Sequence, residues 1–151
     1  MRVDRIYTRS IVGIPKSSTI QAAAALMRKH HVGTLLVMGD EPEVNTLLGF
    51  VTDRDIVLQA VADGLSPDKV TAGQVMTPNV ATVREDDDVH EALEVMRSAG
   101  IRRVVVMGAQ GCIAGILSMD DIIDGLAADI SKLADMLRRE RMRESVELPD
   151  L

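Results

Sequence analysis

The sequence predicts a mixed α/β (α+β) fold: two tandem copies of a strand–helix–strand–strand–helix unit with pseudo-two-fold symmetry, plus a C-terminal helical extension. Three observations predict it. Residues 11–38 and 80–107 align without a gap at an offset of 69 (80 − 11), and Ala23, Met27, Arg28, Val37 and Met38 recur as Ala92, Met96, Arg97, Val106 and Met107. Beyond a loop of different length, Gly49-Phe50-Val51-Thr52-Asp53-Arg54-Asp55 lines up with Gly115-Ile116-Leu117-Ser118-Met119-Asp120-Asp121. In both copies a helically spaced apolar stripe precedes a short continuous apolar run, the marks of a helix followed by a buried strand. A unit too small to bury its own apolar face is expected to pair with its copy around a shared core. Two copies also imply a cleft between them.

The elements follow in order. Residues 80–83 form a short β-rich run, matched by 11–14 in the first copy. Ser17, Ser18 and Thr19 are capping candidates for the first helix, and Glu85-Asp86-Asp87-Asp88 supply negative charge at the start of its counterpart. Val89, Ala92, Leu93 and Met96 fall on one helical stripe, as do Ile20, Ala23, Ala24 and Met27. Gly100 suits the helix stop in the second copy, where the first copy has His31. Residues 35–38 and 104–107 read as strands buried on both faces. Residues 39–47, with Asp40, Glu41, Pro42, Glu43 and Asn45, read as an exposed hairpin loop whose partner, 108–111, is shorter.

Strands are expected at 48–51 and 113–117, and a helix over 53–63 with Gly64 as terminator. Repeat one is placed at 8–63, a linker and entry to repeat two at 64–79, repeat two at 80–126 and a helical tail at 127–151. In the tail Ile130, Leu133, Ala134 and Leu137 form a stripe opposed by Arg138, Arg139, Arg141 and Arg143, with Pro149 at a frayed end. That tail is either an intramolecular brace or an oligomer contact.

Composition narrows the function. The 151 residues suffice for a real core, but with no Trp, one Tyr (Tyr7) and one Phe (Phe50) it is built from aliphatic residues and Met. A planar ligand would be held by aliphatic walls and backbone. A net charge of −6 argues against a nucleic-acid partner, which requires a basic face. Cys112 stands alone, so no intrachain disulfide forms and a reducing compartment fits. No apolar run approaches membrane-spanning length and no signal-type segment opens the chain, so a cytoplasmic location without membrane contact is expected.

The duplicated Gly-apolar-apolar-Thr/Ser-x-x-Asp segment carries the chemistry. A strand ends and a helix begins at Thr52 and Ser118, with Asp55 and Asp121 three residues on, beside the free N–H groups. Such a helix start suits a phosphate, and an outward carboxylate suits the two hydroxyls of a ribose. Gly49 and Gly115 would let the backbone approach a ligand. The same pattern also makes a plain helix cap, and both readings stand at this point. Arg102, Arg103 and Arg54 suit phosphate oxygens; their counterparts, Gly33, Thr34 and Asp120, are not basic, so the two clefts are unequal. Arg102 and Arg103 could instead pair with Asp86–Asp88 or another acidic surface.

The quoted motif, with Val75-Met76-Thr77-Pro78 before the second copy, Ala99-Gly100-Ile101-Arg102-Arg103-Val104-Val105-Val106 within it, and Ile56 and Ile122 closing the motifs, resembles the cystathionine-β-synthase (CBS) domain. The resemblance covers about residues 8–126, as a tandem pair called a Bateman module. It implies a βαββα pair whose clefts take adenosine-containing ligands: AMP, ADP, ATP, NAD-type dinucleotides or S-adenosylmethionine. It assigns ribose to Asp55 and Asp121 and phosphate to Thr52 and Ser118. It assigns the adenine to backbone and apolar groups at Val12, Gly13, Ile14, Ala81, Thr82 and Val83. It also implies a flat homodimer and a protein target that reads the ligand state. The expected function is a non-catalytic sensor of an adenosyl ligand with no catalytic cofactor; the alternative is an interaction module that binds no nucleotide.

Other signals carry less. His30 and His31 face about 100° apart on a helix, and with His90 distant no zinc spacing arises, so no metal is expected. Asp86-Asp87-Asp88 are better explained as helix-start acids than as a Mg²⁺ site. No general base, nucleophile or metal cluster is visible for an enzyme such as a nucleotide hydrolase; turnover dependent on Asp53 or Asp120 would revive that class. Met27, Met38, Met96 and Met107 are read as adaptable core filler, and Met136 and Met142 as a potential partner surface.

Overall fold

The computed structural model describes residues 1–41 and 46–147; Pro42, Glu43 and Asn45 of the expected hairpin loop, and Pro149, lie outside the described residues. Repeat one contains β1 (Gly13–Pro15), α1 (Ile20–His30), β2 (Thr34–Met38), β3 (Leu47–Thr52) and a short α2 (Asp53–Asp55). Repeat two contains β5 (Thr82–Arg84), α4 (Val89–Ala99), β6 (Arg103–Met107), β7 (Ile113–Ser118) and α5 (Met119–Glu147). Between them lie α3 (Ala72–Val75) and β4 (Thr77–Pro78).

In each repeat the first strand runs parallel to the second and the second antiparallel to the third, in the order β1-β2-β3-β4 and β5-β6-β7. Each middle strand is buried on both faces. Leu35 and Val37 pack with Ile20, Ala23 and Met27 in one repeat core. Val104 and Val106 do so with Val89, Ala92 and Met96 in the other. Leu36, Phe50 and Val105 point the opposite way and form the seam between repeats, joined by Met38, Met107, Val80 and Ile116.

The segment between the repeats, expected as linker and entry to repeat two, includes a structural arm. β4 pairs with β3 of repeat one, Phe50 opposite Thr77. The N-terminal residues repeat this on the other sheet, where Thr8 bridges Ile116 through bonds of 2.9 and 3.0 Å. The correspondence continues upstream: Ala72 and Gly73 N–H donate to Ser18 and Lys16, as Val3 and Asp4 N–H donate to Asp87 and Glu85. Each repeat's leading arm therefore closes the other repeat. Val3 and Tyr7, assigned no role from the sequence and lying before the expected start of repeat one, are buried in the repeat-two core.

This exchange corrects the expectation for Gly49 and Gly115. Neither glycine makes room for a ligand: a Cβ on Gly49 would collide with the Thr77 carbonyl, and one on Gly115 with the Thr8 carbonyl and the Tyr7 ring. Both are needed for backbone-to-backbone approach. The expected helix over 53–63 also differs, since after α2 the chain continues as a π-helix, Ile56–Val61, with Ala62 N–H bonded to Val57 five residues back. The tail is no brace. From Leu126 to Val146 every residue of α5 is exposed except the half-exposed Ala134.

Helix ends supply two predictions. α1 stops at His31 in the left-handed region (φ 54°), where α4 stops at Gly100 (φ 64°). A side chain there is strained by about 1 kcal/mol, so His31→Gly should raise the unfolding temperature by a few degrees in thermal denaturation. Asp88 caps α4 by accepting from His90 N–H at 2.8 Å and also holds the N-terminal ammonium at 3.1 Å. Those two contacts, the backbone bond first, lower its pKa below the usual carboxylate value. A depressed carboxylate contributes stability above its unfolded pKa and loses it as pH falls through the folded pKa. Asp88→Ala should thus lower Tm at pH 7, and the gap from wild type should narrow as pH falls below the ordinary carboxylate range, readable from melts across pH.

Candidate functional site

Both duplicated motifs fold as capping boxes. Thr52 Oγ accepts from Asp55 N–H at 3.1 Å while Asp55 Oδ2 accepts from Thr52 N–H at 2.8 Å. Ser118 and Asp121 repeat this at 3.1 and 2.8 Å, and the Ser118 hydroxyl donates to Asp121 Oδ2 at 2.6 Å. The helix-cap reading is therefore realised in both copies. One oxygen of each carboxylate, Oδ1, has no hydrogen-bond partner among the described residues. The helix starts are tethered alike: Asp53 N–H bonds Gly33 at 3.1 Å, and Met119 N–H bonds Arg102 at 2.9 Å. Thr52 faces Thr34 and Ser118 faces Arg103 across their sheets.

At one end of the inter-repeat seam lies a cavity of about 200 Å³ lined by Phe50, Thr52, Thr77, Pro78, Asn79, Val80, Ala81, Ile101, Arg102 and Arg103. It brings together the first motif's hydroxyl residue, an apolar wall from both repeats, and two arginines. Arg102 reaches Asp120 at 3.3 Å, with both side chains about 70% exposed. Such an exposed pair is weak and readily exchanged for a better anion. Arg103 has no ion-pair partner among the described residues, and it is Arg84, not Arg102 or Arg103, that pairs with Asp86, at 2.8 Å.

Of the residues singled out from the sequence, Thr52, Ala81, Arg102 and Arg103 line this cavity. Asp55 and Arg54 follow Thr52 in α2 without lining it, while Ser118 ends β7 of the other sheet and Asp121 lies in the first turn of α5. Ile14 and Val83 are buried in the repeat cores, and Gly13 and Thr82 are paired in β1 and β5. The carbonyls of Val12 and Ala81 already accept from Leu36 and Val105 N–H. The carbonyls of these two positions are thus engaged by the sheets, leaving Ala81 to contribute wall. Phe50, Thr77, Asn79, Val80 and Ile101 were missed. The signal for them was the Thr77-Pro78 pair, legible only once β4 is known to cross to β3.

By the shifts of 69 and 66 residues (118 − 52) the repeat maps the lining of this cavity onto Thr8–Val12, Val32–Thr34, Ile116 and Ser118. There Gly33 and Thr34 replace the two arginines, and Arg9, at the Pro78 position, stacks 4.6 Å above the Tyr7 ring. Among the described residues no group of three or more His, Cys, Asp or Glu is arranged to hold a metal ion. Among the described residues no helix is long and apolar enough to cross a membrane.

Comparison with known proteins gives the same architecture. The CBS domain matches the chain twice, over residues 3–61 and 72–128. An uncharacterized protein of Methanopyrus kandleri is 35% identical over 113 residues, 75% of this chain but 56% of that one, so the chain spans little more than half of that relative. Hypoxic response protein 1 of Mycobacterium tuberculosis is 33% identical over 78% of this chain and 79% of its own length. Among solved structures, a CBS domain protein from Pyrobaculum aerophilum complexed with AMP superposes with a TM-score of 0.68 at 33% identity, covering 80% of this chain and 89% of that one.

Proposed function

This chain belongs to the CBS domain family as a tandem pair, and from that premise we propose that it is a non-catalytic regulatory module whose first cleft takes an adenine nucleotide. The observation that carries the reading is the cavity at Thr52, where an apolar wall meets two arginines. Phe50, Val80, Ala81 and Ile101 suit a purine face, the free Oδ1 of Asp55, just beyond the cavity's lining, suits a ribose, and the Thr52 hydroxyl with Arg102 and Arg103 suits phosphate. The second cleft, with Ser118 and Asp121 but no arginine pair, would take a nucleotide more weakly. The AMP held by the Pyrobaculum relative is consistent with this ligand class. AMP, ADP and ATP fit the arginines better than S-adenosylmethionine, whose sulfonium is cationic; NAD-type dinucleotides fit them less fully, with two phosphates bridged between nucleosides.

Pairing into homodimers belongs to the same reading. Val57 and Ile123, related by the repeat, are 55% and 56% exposed on the segments that follow the two motifs, beside exposed Leu58 and Val61. A ligand would signal only by binding one arrangement of repeats or protomers more tightly, with an unidentified protein target reading the change. A second reading, an interaction module with no nucleotide, draws on the capping boxes, which already employ Thr52, Ser118 and one oxygen of each Asp.

Calorimetric melts of nucleotide-stripped protein with AMP, ADP, ATP, NAD, NADH and S-adenosylmethionine separate the two. A ligand at 100 times its Kd adds about 2.7 kcal/mol, a shift of several degrees. Asp55→Ala and Asp121→Ala should each cost about 1 kcal/mol of capping, but Asp55→Ala alone should abolish most of the AMP shift. No shift with any ligand would favour the interaction module.

A further inference from the structure

Beyond its first two turns, α5 is exposed almost throughout. From residue 126 the helix runs 22 residues to Glu147, about 33 Å at 1.5 Å per residue, and over 126–146 only Ala134 is partly covered. Its apolar residues are not scattered. Ile123, Leu126, Ile130, Leu133 and Leu137 follow a 3-4-3-4 spacing, and all are exposed, Ile130 and Leu133 by 66% and 60%. That spacing is the seam of a coiled coil, and a lone helix with such a seam in water is poorly supported.

Charge says which way the partner runs. Residues 119–135 carry five Asp (120, 121, 124, 129, 135) and one Lys, whereas 136–143 carry four Arg and one Glu. Asp129 and Asp135 pair within the helix with Lys132 and Arg138, at 3.2 and 2.8 Å. Arg139, Arg141 and Arg143 have no ion-pair partner among the described residues. A parallel copy would set arginine against arginine; an antiparallel copy sets the basic segment of each helix against the acidic segment of the other. The register that pairs Ile130 with the partner's Leu133, and Leu126 with the partner's Leu137, gives four apolar layers by symmetry.

We propose that this exposed helix pairs antiparallel with the same helix of a second copy, forming a clasp that ties two CBS pairs together along the Ile130–Leu133 seam. This deepens the homodimer part of the reading above and is independent of the nucleotide.

The test uses the full chain. Sedimentation velocity at micromolar concentrations should show a dimer, and Ile130→Asp with Leu133→Asp should raise its dissociation constant about 100-fold while circular dichroism and AMP binding hold. Spin labels on Met142→Cys in a Cys112→Ser background should lie about 30 Å apart across the dimer, against about 10 Å for a parallel pair. A monomeric wild type, with or without affinity for anionic phosphatidylserine vesicles, would overturn both clasp and homodimer. A dimer indifferent to the double substitution, or labels about 10 Å apart, would overturn the clasp alone. AMP titration of the same samples reports separately on the nucleotide reading.

Discussion

Gly115→Ala is expected to destabilise the protein by about 3 kcal/mol, lowering Tm by about 10 °C in a calorimetric scan. A methyl group there meets the Thr8 carbonyl oxygen and the Tyr7 ring. Neither can retreat cheaply. Thr8 is held to Ile116 by two backbone bonds, and Tyr7 and Val3 are buried in the repeat-two core. Moving the arm aside exposes both side chains and leaves Ile116 N–H and C=O without their strand partner. Gly49→Ala should behave alike through Thr77 and Met76. Gly125→Ala, which meets only the side-chain ends of Ile6 and Met1, should cost far less. Equal, small effects for all three would contradict the exchange of arms.

The second large effect concerns binding. Arg102→Ala with Arg103→Ala should weaken AMP about 100-fold while leaving adenosine affinity within about twofold, measured by isothermal titration. Each charge-assisted contact to phosphate contributes about a factor of ten at an exposed guanidinium, since water and salt screen part of it. Arg102 also gives up Asp120, 3.3 Å away, which reduces its net gain. AMP affinity in wild type should fall with added salt more steeply than in the variant. If adenosine and AMP lost affinity together, the arginines would be shaping the cavity rather than holding phosphate.

Much of this was legible in the sequence because a repeat constrains itself twice. The apolar stripes of α1 and α4, the doubly buried β2 and β6, and the helix starts at Thr52 and Ser118 all sit where periodicity and capping chemistry place them. The arms were not legible. Val3-Asp4-Arg5 and Ala72-Gly73-Gln74 share no residue, and their equivalence lies in backbone bonds rather than side chains. Without the arms, Gly49 and Gly115 looked free to face a ligand. Phe50 and Ile101 could not be brought to one cavity either, because that cavity forms between a motif of one repeat and strand entries of the other. The π-helix after Asp55 left no mark in the sequence that we can identify. The tail's exposure was beyond reach too, since a stripe on a helix does not say what covers it.

The central claim is that the cavity between Phe50 and Ile101 is the nucleotide site. A crystal structure of nucleotide-stripped protein grown with AMP tests it most directly. The account predicts adenine against Val80, Ala81 and Ile101, ribose beside Asp55, and phosphate by Thr52, Arg102 and Arg103, with this cleft filled before its counterpart at Ser118. AMP found only at the Ser118 cleft, or an empty first cavity at saturating AMP, would contradict it.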